Sequence, residues 1–254
     1  MTPTRRQFLV TGTAALTVLP FAARADGHAA NVFPTANGEV AIHPISHASF
    51  VMETPSGVIY VDPVGDADLY ADKPAADFVL ITHEHGDHYD EATLGAVVGE
   101  STTMITNPAV FDMMSEEMRA KATSLANGEN GGLGDVSVDA IPAYNITEDR
   151  LNFHPQGRDN GYVLTVDDMR IYISGDTEDI PEMRALENID LAFVCMNLPF
   201  TMDAESAASA VSEFAPTYVY PYHYRGRDNG TQDPQEFADM LADGIEAKMG
   251  GWYG

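Results

Sequence analysis

The hexapeptide HEHGDH, which begins at His83, brings three histidines and an aspartate into one short stretch of the sequence. It follows the apolar run Phe78–Ile81, which is typical of a buried strand. At the end of a strand, His83 and His85 point to the same side. After the sharp turn that the next glycine permits, Asp87 and His88 face back over the same hollow. Neutral imidazole and carboxylate suit zinc and similar ions, so the spacing predicts a metal site; a polar surface loop is the weaker alternative.

The composition excludes several classes of partner. The chain has 254 residues, with 39 Asp and Glu against 13 Lys and Arg, and a formal net charge of −26. A surface this acidic repels phosphate backbones and anionic lipids. We therefore expect a small-molecule substrate, no nucleic acid and no stable membrane anchor. The one cysteine, Cys195, cannot form a disulfide within the chain, and its apolar surroundings in the sequence predict an inert core residue.

Residues 1–25 have the pattern of an export signal. The twin arginine Arg5-Arg6 precedes the apolar run Phe8–Phe21, and Ala23-Arg24-Ala25 is typical of a cleavage site. The apolar run is shorter than the ~20 residues that a membrane-spanning helix needs. We predict a twin-arginine signal peptide, contact with the twin-arginine export machinery during transport, and a periplasmic location. An amphipathic N-terminal helix of the fold is the alternative.

The rest of the chain has the pattern of one α/β domain. We predict a flexible lead-in over 26–37 and a single domain over 38–254. Strand-like runs in that domain form two hairpin-rich blocks, each followed by helical patterns. This order predicts two sheets packed face to face with helices outside. The elements predicted between the blocks are a long helix from Pro108 to Ala126 and a glycine-rich loop over 128–134.

The HxHxDH pattern that begins at His83 resembles the signature of the metallo-β-lactamase superfamily. Two later motifs come in the family's order, Gly175-Asp176-Thr177 and His223, each after a strand pattern. The segment Ser46-His47-Ala48-Ser49-Phe50 resembles the opening of the branch that contains ascorbate-phosphate lactonases and phospholipase-D-like phosphodiesterases. The resemblance implies an α/β fold of the αββα four-layer sandwich type.

The resemblance also implies two divalent metal ions, with zinc expected ahead of manganese or iron. The ligands implied are His83, His85 and a third histidine at one site, and Asp87, His88 and His223 at the other, with Asp176 bridging. Asp87 and Asp176 would take part in catalysis, and Asp62 would orient the metal loop from beneath. His47 either donates a hydrogen bond near the metals, contacts the substrate, or has a structural role.

The third histidine of the first site departs from the family pattern. The expected position, after the strand pattern Val136–Ile141, holds Asn145. His154 is the only histidine between His88 and His223, so we interpret it as a ligand supplied by a loop. Two alternatives stay open: Asn145 binds weakly in its place, or a water molecule does.

Three arginines lie beside the metal motifs in a chain with few cations: Arg158, Arg225 and Arg227. Guanidinium groups at the mouth of a site would attract a phosphate or carboxylate, so they predict an anionic substrate. The alternative is pairing within the chain, for which Asp159 and Asp228 are adjacent partners.

These patterns predict a periplasmic metal-dependent hydrolase. A metal-bridging hydroxide would attack a lactone, ester or phosphoester, because two cations lower the pKa of the water that they share. The alternatives are β-lactam hydrolysis and a non-catalytic metal-binding protein that retains the fold. Serine hydrolysis has no support, because the sequence has no GxSxG motif.

Overall fold

Two mixed sheets of seven strands each form the centre of the molecule, which a computed structural model describes for residues 31–226 and 232–253. The first sheet runs in chain order: β1 (Asn31–Pro34), β2 (Glu39–Ser46), β3 (Ser49–Thr54), β4 (Gly57–Val61), β5 (Phe78–Ile81), β6 (Thr103–Thr106) and β7 (Ala122–Ser124). The second sheet also keeps neighbours in chain order: β8 (Asn130–Leu133), β9 (Val136–Ala143), β10 (Asp159–Val166), β11 (Met169–Ile173), β12 (Leu191–Cys195), β13 (Tyr218–Tyr222) and β14 (Glu246–Ala247). The predicted signal peptide over 1–25 and Arg227 lie outside the described residues.

Short helices fill the connections between the parallel strands. They are α1 (Glu91–Val97), α2 (Pro108–Met113), α3 (Glu116–Arg119), α4 (Pro181–Arg184), α5 (Ala204–Phe214) and α6 (Pro234–Asp239). Asp90 caps α1 by accepting a hydrogen bond from the Ala92 N–H, and Asp203 caps α5 by accepting one from Ser206. Within the described residues, none of the helices has the length and apolar character that crossing a membrane requires.

The core lies between the two sheets. Phe50 of β3 stacks on Phe193 of β12, with ring centroids 4.2 Å apart. Its neighbour Val51 points to the opposite face of the first sheet and packs with Leu94 of α1, as the alternation of side chains along a strand requires. Outside the second sheet, Phe214 of α5 lies against Tyr172. The layers confirm the predicted αββα four-layer sandwich.

The long helix predicted from Pro108 to Ala126 is wrong, because three elements occupy this stretch. After α2, the Ser115 side chain accepts a hydrogen bond from the Met118 N–H and begins α3. The chain then forms β7, which pairs in parallel with β6. A serine side chain can accept hydrogen bonds from the free N–H groups at the start of a helix. Ser115 therefore allows a new helix to begin here, and the apolar residues at helical spacing are divided between α2 and α3.

The glycine-rich loop predicted over 128–134 is wrong in part, because it contains β8, which pairs antiparallel with β9. A Cβ on Gly131 would lie 3.2 Å from the side chain of Leu125. The missing side chain therefore allows the edge strand to pass close to the end of the first sheet. Gly134, at φ +58°, then turns the chain into β9.

The flexible lead-in predicted over 26–37 is wrong for Asn31–Pro34, which form β1 and pair with β2. Phe33 is only 2% exposed, and its ring centroid lies 4.9 Å from that of Tyr218 in the other sheet. Burial of this aromatic ring fixes a segment whose polar composition resembles a linker.

Candidate metal centre

The predicted ligands meet at the edge of the sandwich where the parallel strands end. β4 leads into Asp62, β5 into the hexapeptide at His83, β11 into Asp176, and β13 into His223. Asp62 and His223 have φ values of +44° and +47°, in the left-handed region that non-glycine residues adopt rarely. These turns end each strand sharply and direct the side chains into one hollow.

Three imidazoles form the first cluster. Nε2 of His83 and Nδ1 of His85 are 3.1 Å apart. His154 completes the cluster, with ring centroids 5.0 Å from His83 and 4.7 Å from His85. One ligand atom from each of the three lies within 4.8 Å of the others. The loop before β10 thus delivers His154 to the place where the sequence predicted a third ligand.

Asp176 lies between this cluster and a second one. Its Oδ2 is 3.4 Å from Nε2 of His154. Its Oδ1 is 3.4 Å from Nε2 of His88 and 3.4 Å from Nε2 of His223. Asp87 Oδ2 stands 3.5 Å from the same nitrogen of His223. The two carboxylate oxygens of Asp176 therefore point toward different sets of imidazoles, which is the arrangement of a bridging ligand.

The spacing of these atoms fits bound cations. Charge-assisted hydrogen bonds measure about 2.7–2.9 Å, whereas the imidazole contacts of Asp176 are 3.4 Å. In a tetrahedral zinc site with bonds of about 2.0–2.1 Å, neighbouring ligand atoms are about 3.3–3.4 Å apart. Nε2 of His88 and Oδ1 of Asp176 are buried and make no hydrogen bond in the described part of the chain. The donor set and its spacing thus suit a borderline divalent ion.

Carboxylates behind the cluster hold two of the imidazoles from their other nitrogen. Nδ1 of His88 is 2.7 Å from Oδ2 of Asp62, which also accepts a hydrogen bond from the Thr82 hydroxyl. Nδ1 of His154 is 2.9 Å from Oδ2 of Asp159. Such partners fix ring orientation and leave Nε2 toward the centre. Asp62 thus supports the metal loop from beneath, where the resemblance placed it.

The charges of the side chains in the centre compensate one another. Burial would raise the pKa of Asp176, but the imidazoles of His223 and His88 hold it well below its usual value. Burial would lower the pKa of His154, but Asp159 and Asp176 raise it to about 9. Burial and the neighbouring His88 keep the pKa of His83 well below its usual value. A metal ion entering the centre would therefore displace protons from some ligands and find others already neutral.

Asn145 has a different place from His154. Its backbone N–H donates to the carbonyl oxygen of His154 at 2.8 Å. Its side-chain amide donates to the carbonyl oxygens of Arg150 and Phe200. The Asn145 amide nitrogen is therefore tied to the loops around the centre.

Two of the three predicted substrate-binding arginines, Arg158 and Arg225, have contacts within the protein. Nε of Arg158 lies 2.6 Å from Asp159, and its Nη1 lies 2.9 Å from Glu84. These ion pairs agree with the alternative hypothesis, in which carboxylates of the chain pair with the arginine. The guanidinium of Arg225 lies over the ring of Tyr253, 4.2 Å from its centroid.

Sequence reasoning missed two polar side chains of the centre. The amide nitrogen of Asn197 is 3.1 Å from Oδ2 of Asp176 and 3.2 Å from Nε2 of His223. Asn197 follows β12, so the rule that active residues follow strand ends could have found it. The Tyr253 hydroxyl is 2.7 Å from Nδ1 of His47, and no local pattern predicts a contact over this sequence distance.

The centre opens into a pocket of about 230 Å³. Its lining consists of His85, Asp87, Phe153, His154, Asp176, Asn197 and Phe200. The rings of Phe153 and Phe200 meet edge to face with centroids 5.1 Å apart. The pocket thus combines a polar floor with an aromatic wall.

The chain is similar to known proteins over most of its length. The family described as "Beta-lactamase superfamily domain" matches residues 41–223. A UPF0173 metal-dependent hydrolase of Oenococcus oeni is 30% identical over 178 residues, which cover 66% of this chain and 77% of the relative. A crystal structure from Parabacteroides distasonis, described as that of a candidate metal-dependent hydrolase, is 40% identical with a TM-score of 0.77, covering 88% of this chain and 98% of the other. The metallo-beta-lactamase fold protein YhfI from Bacillus subtilis shares the fold at 16% identity, with a TM-score of 0.63 and coverage of 88% and 92%.

The chain belongs to the metallo-β-lactamase superfamily, which confirms the resemblance of its histidine motif. Within that superfamily it is a metal-dependent hydrolase, as its relatives and its clustered imidazoles and carboxylates show.

Proposed function

We propose that the protein hydrolyses a small ester, lactone or phosphoester with two divalent ions held on either side of Asp176. The observation that supports this most strongly is the position of that carboxylate. Its Oδ2 faces His154 at 3.4 Å, and its Oδ1 faces both His88 and His223 at the same distance. His83 and His85 would complete the first site, and Asp87 the second.

Two divalent ions in these sites would supply a water of lowered pKa and positive charge opposite the developing oxyanion. The side chains of the centre orient the reactants. Asp87 lines the pocket, where its carboxylate can accept a hydrogen bond from the attacking water. The Asn197 amide donates to Asp176 at 3.1 Å and so fixes the plane of that carboxylate.

The pocket limits the size of the substrate. Its volume of about 230 Å³ lies below the range of about 300–1,000 Å³ that is common for drug-sized ligands. Phe153 and Phe200 would exclude bulk water from the reacting bond and contact an apolar part of the substrate. We therefore propose a substrate with only a few non-hydrogen atoms around its scissile bond.

An anionic group on the substrate is part of the proposal. Arg225 stacks on Tyr253 next to His47, so its charge lies on the side of the centre that holds Asp87. We expect Arg225→Ala, combined with Arg227→Ala, to raise KM for an anionic ester far more than for its neutral analogue. Equal effects on the two esters would assign these arginines to pairing within the chain.

The reaction class is tested by loading the metal-free protein with zinc, manganese or iron and assaying a panel of substrates. The panel contains an aryl ester, a small lactone, an aryl phosphodiester and a β-lactam. We expect turnover of one of the first three, and a loss of at least about 100-fold in kcat for Asp87→Asn. Asp135→Asn is the matched control, because Asp135 is an exposed carboxylate at a distant turn.

Each outcome of that assay decides between the candidate functions. Turnover of the β-lactam alone would assign the protein to β-lactam hydrolysis. Stoichiometric metal without turnover of any member would favour a non-catalytic metal-binding protein that retains the fold.

We also propose export to the periplasm by the twin-arginine route, for which the pattern of residues 1–25 is the support. Replacing Arg5 and Arg6 with lysine should keep the full chain in the cytoplasmic fraction. Unchanged processing and periplasmic recovery of that variant would contradict this route.

A further inference from the structure

His47 lies at the rim of the metal centre in an unusual backbone conformation. It stands in the turn between β2 and β3 with φ +54°, a region that non-glycine residues adopt rarely. This conformation brings its ring to 4.0 Å, centroid to centroid, from the ring of His223. Glycine would adopt this conformation without strain. The histidine at this position therefore indicates that its imidazole has a specific role.

The distances around His47 repeat the pattern of the imidazoles at Asp176. Nε2 of His47 lies 3.3 Å from Oδ2 of Asp87, which is longer than a charge-assisted hydrogen bond of about 2.7–2.9 Å. Nε2 of His223 lies 3.5 Å from the same oxygen. Ligand atoms of His47, Asp87 and His223 all lie within 4.8 Å of one another. The distances from the Asp87 oxygen to the two nitrogens are thus those expected between neighbouring ligand atoms of one metal ion.

The other nitrogen of His47 is held as it is in His88 and His154. Nδ1 of His47 is 2.7 Å from the Tyr253 hydroxyl, just as Nδ1 of His88 and of His154 stand 2.7 and 2.9 Å from carboxylates. When the hydroxyl oxygen accepts the Nδ1 proton, Nε2 carries its lone pair toward Asp87. Arg225 covers the tyrosine ring from the other side, 4.2 Å from its centroid.

We propose that His47 is a ligand of the metal ion at Asp87 and His223, and that Tyr253 is the positioning residue that aims it. This inference rests on the metal centre of the proposed function. It gives the ion a further imidazole, a ligand type that suits zinc, iron and copper better than magnesium or calcium. It also makes the C-terminal segment part of the metal centre.

The test measures metal affinity and ligand field rather than activity. Metal-free wild-type, His47→Gly, Tyr253→Phe and His43→Ala proteins are titrated with Co²⁺ against a chelating dye, and the visible absorption of the bound ion is recorded. Glycine adopts a positive φ readily, so His47→Gly removes the imidazole without straining the turn. His43 is the matched control, because it lies on β2, shortly before that turn, and pairs with Glu53.

We expect His47→Gly to weaken the second equivalent of Co²⁺ by more than about 10-fold and to change its absorption bands, with the first equivalent unchanged. Tyr253→Phe should weaken the same equivalent by a smaller factor, and His43→Ala should leave both unchanged. Wild-type affinity and bands for the second equivalent in His47→Gly would overturn the inference while the proposed function stands. Wild-type protein that binds no Co²⁺ would instead overturn the proposed function, and this inference with it. If His47→Gly does not fold, His47→Asn replaces it, because asparagine also tolerates a positive φ. Wild-type affinity and bands in that variant would overturn the ligand role of His47, and the same result in Tyr253→Phe would overturn the positioning by Tyr253.

Discussion

At the scale of single residues, two imidazoles of the centre each use their two nitrogens for different tasks. His154 has Nδ1 at Asp159 and Nε2 at Asp176, and His88 has Nδ1 at Asp62 and Nε2 at Asp176. One nitrogen fixes the ring, so the other is already directed when a cation arrives. Little orientation entropy is then left to lose on binding.

His154 and Asn145 make separable predictions. His154→Ala should lose one equivalent of bound metal, because the first cluster would keep only His83 and His85. Asn145→Ala should keep both equivalents and lose about 1 kcal/mol of unfolding free energy, since two partly buried carbonyl oxygens lose a donor. Metal analysis and urea unfolding of both variants check this. The opposite pattern, with metal lost only in Asn145→Ala, would transfer the ligand role to Asn145.

Cys195 should be chemically silent in the folded protein. Burial raises the pKa of its thiol to about 12, so almost none of the reactive thiolate is present at pH 8. A thiol-specific chromogenic reagent should therefore react only as the protein unfolds, with one thiol per chain released in urea. Rapid reaction in native buffer would contradict the placement of Cys195 in the core.

At the scale of elements, a strand that ends at the centre can be predicted from the sequence, because a buried strand is an apolar run between polar residues. The apolar run Phe78–Ile81 predicts a buried strand, and the structure has β5 at these residues. The metal ligands of the hexapeptide could be predicted from the sequence, because their position at a strand end and their short spacing fix their geometry locally.

The predictions were wrong at segments whose structure depends on contacts with residues far away in the sequence. β1 is ordered by a ring that packs across to Tyr218, and β8 by pairing with β9, neither of which a local pattern encodes. Tyr253 reaches His47 from the far end of the chain. Such contacts depend on the assembled sandwich, so sequence spacing alone could not predict them.

The contact between the sheets should dominate stability. Phe50 is fully buried and stacks on Phe193, so Phe50→Ala should lower the unfolding free energy by about 3–5 kcal/mol. Val32→Ala is the control, because Val32 is 49% exposed and should change that free energy by less than about 0.5 kcal/mol. Urea unfolding gives both values. Similar losses in the two variants would show that the two sheets are not held together by this stack.

At the scale of the whole molecule, the excess of acidic groups opposes the compact state. A net charge of −26 creates repulsion that salt screens, with a Debye length of about 10 Å at 0.1 M. We expect Tm to rise as NaCl increases from about 0.05 to 0.5 M, by about 2–4 °C for each kcal/mol of repulsion removed. Scanning calorimetry of the metal-free protein measures this directly. A Tm that falls over that range would show that attractive ion pairs outweigh the repulsion.

Four histidines of this acidic molecule lie together at one edge. His83, His88, His154 and His223 are all buried there, although burial of ionisable groups without partners is costly. The two cations that we propose would compensate the carboxylates that these imidazoles surround. The packing of the two sheets thus brings the ends of strands from both of them together at the metal centre.

The proposed position of Asp176 between two cations can be observed in a crystal. The most direct measurement is anomalous diffraction from crystals of the protein loaded with zinc, recorded on both sides of the zinc absorption edge. We expect two anomalous peaks, about 3.5–4 Å apart, one beside His83, His85 and His154, the other beside His88 and His223. A single peak away from Asp176, or no peak in zinc-loaded crystals, would contradict it.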